Sequence, residues 1–258
     1  MKIVPPNPRI KERITAFGNN GVGKSSILYQ ILQHHQDAHG WVIDMDFSLA
    51  HERLLWTEYP ELEDRVTIIG IDAEWEAYKE AAAQVLAEGD MDNDWWLVDP
   101  AHMTWQMVQS WFSEQVHGKD IAAHMTKLRK ETKDIKEFNK ELTSDMTWPV
   151  INKLYQQEFY GTYRKWRGHS ILVCEAQSVR KDAEEAERAE FGFIGVKPAG
   201  QKSMGHVGAT NVYLDHPKID QWRYTTTKDR GRALQQKVPF DNFGEDYLVE
   251  VAGWEWTK

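Results

Sequence analysis

The 258 residues carry 40 acidic against 31 basic side chains, a net charge of −9. That excludes a uniformly basic nucleic-acid binder but leaves a local cationic site open, because exposed charges more than about 8 Å apart are largely screened at physiological salt. With 41% hydrophobic residues the chain can fill a substantial core, while its apolar runs are all too short for a membrane span. A single cysteine, Cys174, rules out an intrachain disulfide and a multi-cysteine metal site, and Met1 to Pro6 lacks the apolar centre of a signal peptide. The expected location is the cytoplasm. Twelve tryptophans are many for this length; most are expected as core or interface anchors, and one or two at most as a stacking platform for bases.

Residues 1–12 are a Pro-rich, charged lead-in. Arg13-Ile14-Thr15-Ala16-Phe17 alternates and predicts a strand, and Ser26 to Leu32 has apolar residues at helical spacing. Between them lies Gly18-Asn19-Asn20-Gly21-Val22-Gly23-Lys24-Ser25, which meets the pattern GxxxxGK(S/T) at every fixed position. Strand, glycine-rich turn and helix in that order make an anion site. The glycines let several backbone N–H groups converge on one phosphate, and the helix N-terminus adds its positive end.

Gly40 to Asp44 predicts the next strand and Val66 to Ile69 another; Ala73 to Glu88 reads as a helix ended by Gly89. Trp95 to Asp99 is a continuous apolar strand ending in an acid, and Ala101 to Val116 is apolar at helical spacing. Within 119–142, Ile121, Met125, Leu128, Ile135, Phe138 and Leu142 recur mostly at threes and fours, which predicts one amphipathic helix. A solvated helix packed on the domain is the first reading, and an oligomer contact or a DNA-tracking surface the alternative. Pro149 predicts the start of a helix reaching about Trp166. Ser170 to Ala176 is a strand that would bury Cys174. Ser178 to Gly208 is strand-poor, with a charged run, Arg180 to Glu190, and a Gly/Lys-rich part ending at Lys202; loops of such length are usually functional or disordered. Asn211 to Asp215 and Gln221 to Thr227 read as late, paired strands.

Strands alternating with helices predict an α/β fold: a mostly parallel twisted sheet with helices on both faces and its ligand at the carboxyl ends of the strands. Gly18, Asn19, Asn20, Gly21, Val22, Gly23, Lys24, Ser25 and Ser26 would cradle the phosphates of ATP, with Lys24 on the β- and γ-phosphates. Ser25 and Asp99 would ligate Mg²⁺, a hard ion that takes oxygen ligands and keeps several waters; the alternative for Asp99 is a cap on the following helix. Asp46, with Asp44 and Glu52 as fallbacks, is the candidate base for the attacking water. Gln177 ends a strand and offers an amide to the γ-phosphate or to a water. Lys228-Asp229-Arg230-Gly231-Arg232 is a cationic strand end: a solvated turn, or an arginine finger of the kind that adds roughly 10³–10⁵ in rate and often comes from a neighbouring subunit.

These features, in this order, resemble the RecA-like ATPases: RecA recombinases, KaiC and the DnaB helicases. Val42-Ile43-Asp44-Met45-Asp46 is similar to the strand that carries the family's catalytic glutamate, which would fall on Asp46, one methylene shorter. Trp96-Leu97-Val98-Asp99 looks like the Walker B strand, and Glu175-Ala176-Gln177 like the strand end with the γ-phosphate-sensing glutamine. The stretch 178–208 falls where recombinases carry a mobile DNA-binding loop. Lys228 and Arg230 match the KxR finger that reads ATP across a subunit interface. The resemblance spans about residues 13–232, and the small size is most like the RecA-like ATPases of bacteriophages. It implies a single domain, 1–258, with helices 117–166 as an insertion beyond the minimal core. It further implies a Mg²⁺-dependent ATPase of DNA recombination or replication, acting in the cytoplasm (a host's, if viral). Such a protein would work as a homo-oligomer with its finger in trans and bind single-stranded DNA through Lys197, Lys202 and Phe193. The alternatives are a KaiC-like regulatory or assembly ATPase with a protein partner and, last, a small-molecule kinase with a lid from Arg180 to Arg188.

Overall fold

The computed structural model describes residues 11–51, 57, 59–90, 92–132, 134–218, 221–230 and 239–253. Six parallel strands and their antiparallel partners build one sheet. In chain order the strands are β1 (Arg13–Gly18), β2 (Gly40–Asp44), β3 (Val66–Gly70), β4 (Trp95–Asp99), β5 (His169–Ser178), β6 (Val196–Pro198), β7 (Thr210–Lys218), β8 (Gln221–Asp229) and β9 (Pro239–Phe240). Across the sheet the order is β3-β2-β4-β5-β1-β7-β8-β9, with β6 paired to the end of β5. Every pair from β3 to β7 is parallel; β7–β8, β8–β9 and β5–β6 are antiparallel.

The helices are α1 (Ser26–His34), α2 (Ser48–His51), α3 (Trp75–Glu88), α4 (Met103–His117), α5 (Ile121–Glu131), α6 (Ile135–Met146), α7 (Trp148–Lys165), α8 (Glu185–Phe191) and α9 (Met204–Val207), followed by a π-helix, Phe243–Val251. Side chains alternate across each strand, so the sheet feeds two cores. Ile14, Ala16, Leu97, Ile171 and Val173 pack with α1 and the π-helix on one face. Phe17, Trp96, Val98, Leu172 and Cys174 pack with α3, α4 and α7 on the other. Burial on both faces explains why β2 and β4 read as unbroken apolar runs. The expected α/β fold with helices on both faces is the fold found, and Cys174 is a fully buried free thiol.

Two expectations need revision. The amphipathic run 119–142 is two helices, α5 and α6. Asp134 caps the second, its carboxylate accepting from Lys136 N at 2.6 Å and from Glu137 N, and the helix could not pass through a residue whose side chain competes for those N–H groups. Of the stretch 117–166, α7 belongs to the main core, with Ile151, Tyr155 and Phe159 fully buried, whereas α5 and α6 expose most of their length. The strand-poor stretch 178–208 is not bare loop: it holds α8, β6 and α9.

Candidate functional site

Parallel strands end together, and the ends of β1, β5, β4 and β2 gather the chain's polar residues at one edge of the sheet. Gly18 closes β1. A Cβ there would lie 2.4 Å from the Leu214 carbonyl oxygen, so any side chain would force β1 from β7. The chain then curls through Gly21 (φ 74°) and Gly23 (φ 78°), left-handed positions that glycine adopts without a steric cost. Ser26 N donates to Gly23 O at 3.2 Å, which starts α1 directly from the loop. Lys24 folds back over this turn, its Nζ donating to Asn19 O at 2.8 Å and Gly18 O at 3.3 Å. Its partners are carbonyls; among the described residues no carboxylate lies in ion-pair range of it. Burial lowers its pKa, opposed by the charges of Asp99 and Glu175.

Ser25 Oγ donates to the Asp99 carboxylate, which β4 delivers from the next strand but one. Burial pushes Asp99 up to about 7, against the Ser25 hydrogen bond and helped by the negative Asp46. Asp44 lies opposite Asp99 in the β2–β4 register and is fully buried. One of its oxygens accepts from Leu49 N at 3.1 Å, while Oδ1 has no hydrogen-bond partner among the described residues. Burial raises the pKa of Asp44 too, with Asp46 adding to it. Buried carboxylates in this state are short of positive charge, and one has an oxygen free. A hydroxyl, a carboxylate and that open oxygen are the donor set a Mg²⁺ ion prefers.

Ser25 and Asp99 wall a cavity of about 270 Å³ together with Lys24, Asn20, Asp46 and Glu175, and Asp44 lies outside its lining. Asp46 is exposed on its rim, with one oxygen accepting from Ser48 N at 3.0 Å. The next residue, Phe47, holds φ 56°, strained for a side chain of that size, in the turn that carries Asp46 outward. Glu52 lies outside the described residues. A larger cavity, about 360 Å³, opens near the start of β1 between Arg13, Tyr163 and His206 and contains no glycine-rich loop.

Gln177 is not in the site cavity. It sits two residues beyond Glu175, about 7 Å further along the strand, in the β5–β6 ladder opposite Lys197. Glu175, paired in register with Gly18, faces the cavity instead. Its neighbour is buried His102: Glu175 N donates to His102 Nδ1 at 3.3 Å, and His102 Nε2 lies 3.6 Å from the Glu175 carboxylate. Burial lowers the His102 pKa, and because Nδ1 accepts from Glu175 N, it is Nε2 that can donate toward the carboxylate. Gly200 (φ 107°) passes so close that a Cβ would sit 3.2 Å from His102. Glu175 was within the sequence pattern, but only the β1–β5 register selects it over Gln177.

Lys228 and Arg230 do not reach this cavity within the chain. Because β8 runs antiparallel to β7, its end lies beside Thr210, at the edge where β1 begins. Lys228 is buried, its Nζ donating to Gly205 O at 2.9 Å, and burial pushes its pKa down to about 8. Arg230 is exposed; Arg232 lies outside the described residues. Lys197 and Lys202 are ion-paired, the first with Glu187 at 2.7 Å and the second with Glu184, and Phe193 is exposed.

No known family pattern matches this sequence, and no curated protein matches it. Among solved structures, the crystal structure of the RadB recombinase is similar to this chain, with a TM-score of 0.48 and 13% identity over 89% of this chain and 86% of that one. No described helix is long and apolar enough to cross a membrane.

Proposed function

We propose that this protein binds Mg²⁺–ATP at the loop 18–26 and hydrolyses it, as a RecA-like ATPase. The observation that carries the reading is the juxtaposition of Lys24, held over a left-handed glycine turn, with the Ser25–Asp99 hydrogen bond. Backbone N–H groups of the loop bind the phosphates, and Lys24 leaves its carbonyl partners for the β- and γ-phosphate oxygens. Ser25 and Asp99 would hold the metal. A bound Mg²⁺ supplies charge neutralisation on the phosphates. A water oxygen bonds to the γ-phosphorus while the bond to the β,γ-bridging oxygen breaks. Asp46 and Glu175 flank the space for that water. A carboxylate repels phosphate oxygens and accepts from water, so both act by orienting the water, with Asp46 as its base and Glu175 held in place by His102.

The biological setting we favour is DNA recombination or replication, in the manner of the bacteriophage enzymes. Single-stranded DNA would bind to the 178–208 face, an oligomer would place Lys228 and Arg230 against a neighbour's nucleotide, and the cytoplasm would be the place of action. The Lys197–Glu187 and Lys202–Glu184 pairs favour a second reading, a KaiC-like ATPase whose partner is a protein, because a DNA strand must displace acids from the lysines it would use. ATP hydrolysis measured with and without single-stranded DNA, with Lys24→Ala as control, separates these. Hydrolysis raised by DNA and lost in the variant supports the first; hydrolysis indifferent to DNA supports the second; hydrolysis by Lys24→Ala at the wild-type rate overturns both.

A further inference from the structure

The sheet does not end where the phosphate loop begins. β1 stops at Gly18, level with Leu214, but its neighbour β7 continues to Lys218 and β8 returns from Gln221. The hairpin therefore overhangs the loop. The Asp215–Arg223 ion pair, with Arg223 Nε 2.9 Å from Asp215 Oδ1, ties its two strands together. In the overhang sits Trp222. Its pyrrole edge lies against the phosphate loop, where a Cβ on Gly23 would come within 3.2 Å of both Cδ1 and Nε1. The His216 ring braces it at 5.0 Å in an edge-on arrangement. Yet 46% of Trp222 stays exposed, and its Nε1 has no hydrogen-bond partner among the described residues. The eight other tryptophans among the described residues are buried or half-buried by contrast.

A lone exposed apolar residue needs no explanation. This one is unusual in where it stands. It is braced on two sides, rests on the loop that would hold the phosphates, and leaves indole surface and an N–H donor open beside them. A nucleobase presents a flat π-face to match, and stacking on an indole contributes without reading the base's hydrogen-bonding edge.

We propose that Trp222 is the base-stacking platform of the nucleotide site, so that the ligand is a nucleoside triphosphate held at both ends: phosphates on loop 18–26, base on the indole. The inference rests on the nucleotide reading of that loop. It specifies a site with weak base discrimination, purines binding better than pyrimidines through their larger stacking area, and with inorganic tripolyphosphate bound only through the loop.

The test is calorimetric titration of wild type, Trp222→Ala and Trp222→Phe with Mg²⁺–ATP and with Mg²⁺–tripolyphosphate. The expected result is that Trp222→Ala weakens ATP by about 5- to 100-fold, the range set by base–aromatic stacking. Tripolyphosphate should bind as before, showing the variant to be folded, and Trp222→Phe should recover most of the ATP affinity. Unchanged ATP binding by Trp222→Ala overturns the inference and leaves the nucleotide reading standing. Equal losses for ATP and tripolyphosphate also overturn it, since Trp222 would then only support the loop. Wild type binding neither ligand overturns the nucleotide reading itself, and this inference with it.

Discussion

The edge of the sheet where β1, β4 and β2 end and the face built by residues 178–208 both carry lysines and acids, and they treat them oppositely. On the 178–208 face two lysines are answered from within: Lys197 by Glu187, Lys202 by Glu184. Among the described residues at the strand ends, Lys24 has only carbonyl partners, Asp44 Oδ1 has no partner, and Asp99 is crowded by burial and by Asp46. Burying ionisable groups without full compensation is costly. The first surface is content by itself. The second carries ionisable groups that the chain leaves uncompensated, and on the proposed function a polyanion with a divalent cation would complete them.

The largest effect should come from deepening the deficit at the strand ends. Lys24→Ala should weaken Mg²⁺–ATP binding by at least about 100-fold, consistent with loss of charge-assisted hydrogen bonds to phosphate, while leaving the circular dichroism spectrum unchanged. Next, Asp46→Asn and Glu175→Gln should each lower kcat by about 10- to 100-fold with KM little altered, since groups that orient water act on the transition state. Steady-state kinetics at saturating ATP check this, and a loss confined to KM would place both carboxylates in binding alone.

The pH dependence of stability sharpens the comparison further. The folded pKa of Asp99 is about 7, above the ordinary carboxylate value of 3.8. The folded state therefore holds a proton that the unfolded state has released between those values. The ligand-free protein should lose stability as pH rises through that window, by at most about 4 kcal/mol from this group, and Asp44 adds in the same direction. Thermal melts from pH 5 to 8 should slope downward, Asp99→Asn should flatten the slope, and Mg²⁺–ATP should reverse it by binding the ionised form. The smallest effect belongs to the contented surface. Lys202→Ala should leave the melting temperature unchanged, because an exposed pair contributes little. A large drop would show that the 178–208 face leans on its ion pairs more than its exposure suggests.

Much of the strand-end surface is legible in the sequence because its parts are local. Gly18 to Ser25 is one contiguous pattern between two periodic segments, and Asp99 closes a run of four buried apolar residues. The break between α5 and α6 was legible too, in the seven-residue gap from Leu128 to Ile135 and in Asp134 standing three residues before Glu137, a helix-start signature. What the sequence hides is register and edge. Gln177 and Glu175 share one strand face, and only the pairing with Gly18 shows which one meets the cavity. Lys228 and Arg230 read as a finger by composition, but the antiparallel turn back from β7 carries them to the far edge. Trp222 lies in a correctly expected strand, and its seat on Gly23 follows from the length by which β7 outruns β1, which no single segment encodes.

Whether Mg²⁺–ATP completes the strand-end edge is decided by calorimetric titration of wild type and Lys24→Ala with ATP, each with Mg²⁺ and with EDTA. The expected result is saturable one-site binding by wild type that weakens without Mg²⁺ and disappears in Lys24→Ala. Absence of binding by folded wild type, or equal binding by the two proteins, would contradict it.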